Sequence, residues 1–144
     1  MTESINDKAN ELTIEALPEN LTAVTEFVDG CLESVDCPLK IQLQIDVALE
    51  EIFINIAHYA YQPGKGPATV RVDVSDEPIT VTITFIDQGV PYDPLAKDDP
   101  DITLPADERE IGGLGIFMTK KLMDDVVYEY KDGSNILRLV KKLH

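Results

Sequence analysis

The chain has 144 residues, with 12 Lys plus Arg against 27 Asp plus Glu, and its net charge of −15 repels a phosphate backbone and excludes nucleic acid as a direct partner. That length suits one domain around one core. No apolar run approaches the roughly 20 residues of a bilayer span, and Met1 to Asn10 lacks a basic-then-apolar signal pattern, so a cytoplasmic protein without membrane contact is expected. Cys31 and Cys37 fit neither a Cys-x-x-Cys redox pair nor a complete zinc site and are assigned no chemistry.

Residues 1–10 are expected to be a flexible N-terminus, ahead of a single domain over 11–144. Leu12, Ile14 and Ala16 alternate with Thr13 and Glu15, which predicts a half-buried strand ended by Pro18. Leu21, Val24, Phe27, Val28, Cys31 and Leu32 carry a helical period that closes at Asp36-Cys37-Pro38. A longer helix is predicted from about Leu39 to Tyr61. After a Pro/Gly-rich turn, Val70, Val72 and Val74 alternate with polar neighbours; Ile79, Val81, Ile83 and Phe85 do the same opposite Thr80, Thr82 and Thr84, which predicts a hairpin whose threonines form the wet face.

A polar segment over about residues 90–111 then carries Asp98, Asp99, Asp101, Asp107, Glu108 and Glu110, the composition of a self-repelling, mobile lid. Gly112-Gly113-Leu114-Gly115 opens a helix to about Asp124, with Phe117, Met118, Leu122 and Met123 expected in the core. Strands over Val126 to Tyr130 and Ile136 to Lys142 flank a Lys131-Asp132-Gly133 turn. The order β, α, α, β, β, lid, α, β, β predicts an α+β fold. Its form is a two-layer sandwich, a mainly antiparallel five-stranded sheet with three helices on one face.

Three segments carry chemistry. Glu51, Asn55 and His58 share one arc of the long helix, between Ile45, Ala48, Leu49, Ile52 and Ile56 on one side and Val47 and Ile54 on the other. A carboxylate so sheltered calls for a cation, a metal or a substrate proton. Glu50 competes for the role of base but points about 100° away on the helix. Asp87-Gln88-Gly89 ends a strand, where an acid can accept from an exocyclic amine and a glycine lets a flat ring approach the backbone. The glycines at 112, 113 and 115 bare the N–H groups of a helix start, which suit a phosphate.

Together these segments resemble the four-part nucleotide pocket of the superfamily that holds gyrase, heat-shock chaperones, histidine kinases and MutL. Within it, three stretches are similar to the bacterial anti-sigma-factor serine kinases: Glu51 to Asn55 with Ala60-Tyr61 beyond, Asp87-x-Gly89-x-Pro91-Tyr92-Asp93-Pro94, and Gly112-Gly113-Leu114-Gly115-Ile116-Phe117 through Leu122-Met123-Asp124. The resemblance runs over about residues 10 to 142. It implies an ATP-binding kinase domain in which Asn55 holds Mg²⁺ against the triphosphate, Asp87 bonds the adenine amino group and Gly89 passes under the ring. Gly112, Gly113, Leu114 and Gly115 would supply phosphate donors, and Glu51 would accept the proton of the attacking hydroxyl.

The implied partners are an anti-anti-sigma (STAS-type) antagonist, whose serine or threonine is phosphorylated, a sigma factor that the domain sequesters, and a second copy in a homodimer. The alternative is a nucleotide-gated binding switch with little phosphoryl transfer. The chain departs from the family pattern in two places. Tyr59 stands where the family commonly has a histidine, with His58 one place earlier, and the late-strand threonine that helps hold adenine has no clear match near Ser134, Asn135 and Ile136. Arg109 is a candidate for reaching the phosphates or for an exposed lid residue.

Overall fold

The computed structural model describes residues 10–61, 64–76, 78–96 and 113–143. Strand β1 (Glu11–Glu15) leads through a 3-10 turn at Pro18–Asn20 into helix α1 (Leu21–Glu33) and helix α2 (Leu39–Tyr59). Strands β2 (Pro67–Ser75) and β3 (Thr80–Asp87), a 3-10 turn at Pro94–Ala96, helix α3 (Gly113–Leu122), β4 (Asp125–Lys131) and β5 (Ser134–Lys142) follow. One sheet runs in the order β1-β2-β3-β5-β4, every neighbouring pair antiparallel. This is the expected α+β sandwich of five strands and three helices.

Alternation decides which way each strand faces. Val70 and Val72 of β2, Ile83 and Phe85 of β3, and Leu137 and Leu139 of β5 meet in register on the covered face. Onto them α1 lays Val24, Val28 and Leu32 at one-turn spacing, and α2 lays Ile45, Leu49, Ile52 and Phe53. Fully burying each such side chain stabilises the fold by roughly 1.5–3 kcal/mol. Ile116 and Met123 at the two ends of α3 join the same core. The β4–β5 hairpin turns on Asp132 (φ 53°) and Gly133 (φ 80°), a pair of left-handed residues closed by the Lys131 and Ser134 pairing.

Four expectations are corrected. Helix α2 stops at Tyr59 rather than Tyr61, and the Ala60 carbonyl accepts from the Val90 N–H in place of a further helical bond. Met118 is 44% exposed rather than core, on the outer side of α3. Val47 does not shelter Glu51; it faces outward with Leu43 and Leu39, one and two turns before it. Thr84 is only 5% exposed although it lies on the open face of the sheet. Its cross-strand neighbours are Arg71 and Arg138, whose aliphatic stems cover it while their heads pair with Glu11 at 3.3 Å and Glu129 at 3.0 Å.

Where α1 packs on α2, Asp29 and Asp46 each bring one carboxyl oxygen out of solvent, and neither Oδ1 has a donor. One proton between the two carboxyls satisfies both. Burial first, then the hydrogen bond to Asp29 and its charge, push the Asp46 carboxyl up to about 7. Burial first, then the charges of Asp46 and Asp29, also push the nearby Cys37 thiol up. The folded state therefore holds its proton at pH values where the unfolded chain has lost it, and this stabilisation is lost as pH rises toward 7. Asp46→Asn makes the amide a permanent donor to Asp29. Thermal melts from pH 5 to 8 should show the wild-type protein losing stability with rising pH, and the variant melting above it at pH 8 with a flatter profile.

Candidate functional site

Helix α2 turns its apolar face to the sheet and carries Glu51 and Asn55, both half-buried, along the edge of that face. Asn55 Nδ2 donates to the Glu51 carbonyl at 2.9 Å and to Glu51 Oε2 at 2.7 Å. Both amide hydrogens are thereby given to Glu51, so Oδ1 is the atom Asn55 can offer to a hard cation. His58 is exposed, edge-on to Tyr59, and takes no part in the cavity wall.

Across the cavity, Asp87 ends β3 at 4% exposure. Its Oδ1 accepts from the Gly89 N–H and from Asn135 Nδ2, both at 2.9 Å. Gly89 lies so close to the end of α2 that a Cβ there would sit 2.1 Å from the Ala60 carbonyl oxygen. The Val90 N–H donates to that same oxygen at 2.9 Å, and the Gln88 N–H donates to the Tyr61 hydroxyl at 2.8 Å. The Tyr61 hydroxyl, pushed up in pKa by burial and so kept protonated, donates in turn to the Pro67 carbonyl at 2.6 Å. Ala60-Tyr61 is thus a clasp that fixes the loop after Asp87 to the end of α2.

Between helix and loop lies a cavity that opens to solvent. Ile52, Ile56, Phe85 and Leu137 give it apolar walls, and Asn55, Asp87 and Asn135 are its polar points. Tyr59 and Tyr92 cross at its mouth, ring centres 5.8 Å apart and tilted by 34°. A flat heterocycle with one exocyclic donor matches this combination of apolar walls and a buried acceptor.

The start of α3 completes the line. A Cβ on Gly115 would fall 2.0 Å from the Glu51 carboxyl carbon, so the bare first turn of this helix rests on the Glu51 carboxylate. Gly113 opens that turn, with Leu114 next. The structure therefore joins Asp87 and Asn55 in one cavity, bonds Asn55 to Glu51, and sets Glu51 against Gly115. Gly112, Arg109 and residues 97–111 of the expected lid lie outside the described residues.

Asn135, Tyr92 and Tyr128 were not among the predicted site residues. Asn135 stands directly across from Asp87 in the β3–β5 ladder. A buried asparagine is an uncommon strand residue, and that is the one signal in the chain that could have marked it. Among the described residues no group of three or more His, Cys, Asp or Glu gathers as a metal site. Nor is any helix there long and apolar enough to cross a membrane.

Residues 14–141 match the protein family described as Histidine kinase-like ATPase domain. The chain belongs to that family. Its relatives include the serine-protein kinase RsbW of Listeria monocytogenes, 24% identical over 139 residues, which span 93% of this chain and 87% of that protein. The serine/threonine-protein kinase BtrW of Bordetella bronchiseptica is 26% identical over 100 residues, 69% of this chain and 70% of that one. In fold the chain is similar to a crystal structure of the RsbU and RsbW domains of a Mycobacterium tuberculosis protein, with TM-score 0.64 and 17% identity over 92% of this chain and 32% of that one. It is also similar to a chain of the SiaB-SiaC complex of Pseudomonas aeruginosa, with TM-score 0.55 and 15% identity over 97% of this chain and 95% of that one.

The two close glycine approaches differ in what must yield. At Gly89 the obstacle is backbone, so Gly89→Ala should lower stability by about 1–3 kcal/mol and drop the melting temperature. At Gly115 it is the end of a flexible side chain, and alanine favours a helix by up to about 1 kcal/mol. Gly115→Ala should melt at or above wild type, while displacement of Glu51 shifts the Asn55 side-chain amide resonances in an NMR spectrum.

Proposed function

We propose that this protein is an ATP-dependent serine/threonine protein kinase and anti-sigma regulatory factor, which phosphorylates an anti-anti-sigma antagonist and sequesters a sigma factor. The observation that carries this reading is the pairing of Glu51 with Asn55, between the cavity that ends at Asp87 and the bare helix start at Gly115. A purine pocket would need only its acceptor and walls; a carboxylate beside the metal-binding amide is the further group that phosphoryl transfer requires.

On this reading Asp87 accepts from the adenine amino group, and Gly89 lets the ring lie on the backbone. Asn55 Oδ1 would hold Mg²⁺, which when bound would offset phosphate charge in a chain whose own charge is −15. The N–H groups of Gly112, Gly113, Leu114 and Gly115 receive phosphate oxygens at the positive end of α3. Glu51 orients the substrate hydroxyl and takes its proton. Relatives named as serine-protein kinases support this assignment. The antagonist would meet the γ-phosphate beside Glu51, and the first strand or the open face of the sheet would pair with a second copy.

One observation favours a second reading, a nucleotide-gated binding switch: Glu51 is engaged by Asn55 and covered by Gly115, so its carboxylate is not free in this state. One measurement tests the nucleotide pocket that both readings share, and a second separates them. Calorimetric titration with ATP should show Mg²⁺-dependent binding that Asn55→Ala weakens about tenfold or more, a loss of at least about 1.4 kcal/mol. Glu51→Gln should keep ATP binding while transfer to a serine-bearing antagonist falls by about 10²–10⁴. Unchanged transfer in that variant removes Glu51 from the mechanism, and absence of transfer in wild type leaves the switch.

A further inference from the structure

The hydrogen-bond capacity of Asn135 is fully used. Nδ2 donates to Asp87 Oδ1 at 2.9 Å and to the Val90 carbonyl at 2.9 Å, with the Gly89 carbonyl farther at 3.4 Å. Oδ1 accepts from the Tyr92 N–H at 3.2 Å and from the Tyr128 hydroxyl. Burial pushes that hydroxyl up in pKa, so it stays a donor. The two donors of the carboxamide meet acceptors and its oxygen meets donors, which fixes the amide orientation without ambiguity. At 7% exposure, no water competes for these bonds on equal terms.

With both lone pairs of that oxygen engaged by neighbours, Asn135 has nothing left to give a ligand, so any effect on one passes through Asp87. Asp87 Oδ1 is held from two sides, by Asn135 and by the Gly89 N–H, which leaves Oδ2 as the acceptor that this cavity-lining residue can offer a ligand.

We propose that Asn135 is the positioning residue of the base pocket, holding the Asp87 carboxylate and the 89–92 backbone in the one arrangement that selects a purine bearing an exocyclic amino group. The selectivity part rests on the nucleotide-binding reading above. The pinning part does not.

The test compares wild type with Asn135→Ala and Asn135→Thr. Each is titrated with ATP and with inosine triphosphate, whose base carries a carbonyl in place of the amino group, and backbone amide exchange is followed by NMR without nucleotide. In Asn135→Ala, ATP affinity should fall about tenfold or more while inosine triphosphate changes by less than about threefold, so the preference collapses. Asn135→Thr introduces a β-branched strand residue with one donor for Asp87 and should restore part of the preference. Exchange of the Gly89 and Tyr92 amides should quicken in Asn135→Ala, while the Val90 amide, held by Ala60, keeps its rate.

Parallel weakening toward both triphosphates, or unaltered Gly89 and Tyr92 exchange, overturns the proposal. Should Asn135→Ala not fold, the same comparison on Asn135→Thr decides it. Wild-type protein that binds neither triphosphate overturns the kinase reading instead, and the exchange rates alone then decide the role of Asn135.

Discussion

The site depends on the clasp between the end of α2 and the end of β3. Gly89 has its backbone against the Ala60 carbonyl, Val90 donates to that carbonyl, and the Tyr61 hydroxyl joins Gln88 to Pro67. Asn55 and Glu51 belong to the helix and Asp87 to the strand, so their separation is set by how these two elements meet. Core packing alone would permit sliding, because hydrophobic contact is non-directional. Backbone hydrogen bonds and a glycine without clearance remove that freedom, and so the cavity has a definite length.

A second constraint is electrostatic. A chain of charge −15 that takes up a polyphosphate has to build local positive potential against its own field. The groups suited to this are the N–H ends of α3 and a cation on Asn55, neither of which adds a basic side chain. The contact of Glu51 with Gly115 fits the same logic, since a helix N-terminus attracts a carboxylate when no phosphate is there. On the proposed reading, ligand phosphates and Glu51 would draw on the same positive end, which would tie placement of that carboxylate to occupancy of the site.

Much of this was legible in the sequence because it follows from short-range periods. Val70, Val72, Ile83 and Phe85 alternate since one face of the sheet is covered, and Glu51 and Asn55 share an arc since a helix repeats at 3.6 residues. Gly89 and Gly115 stood out because a missing side chain is visible in any sequence. What was not legible depends on register between distant segments. The covering of Thr84 needs Arg71 and Arg138 on flanking strands, and the Asp29 and Asp46 pair needs the packing of two helices. The bond of Asn135 to Asp87 joins residues 48 apart, and the pattern of one strand carries no mark of its cross-strand partner.

That last case explains the departure from the family pattern. A threonine hydroxyl offers one donor and two acceptor lone pairs. The neighbours at this corner present the Asp87 carboxylate and the Val90 carbonyl, which need two donors, and the Tyr92 N–H and Tyr128 hydroxyl, which need an acceptor. Among neutral side chains only a carboxamide meets that demand, and glutamine carries one more methylene than a 2.9 Å cross-strand bond leaves room for. The asparagine at 135 is therefore coupled to the tyrosine at 128, two positions on paired strands β4 and β5 that face the same pocket. A hydroxyl at 135 could still accept from Tyr92 and Tyr128 but has one donor for Asp87 and the Val90 carbonyl, so one buried acceptor would go unmet, at a cost of about 1–3 kcal/mol.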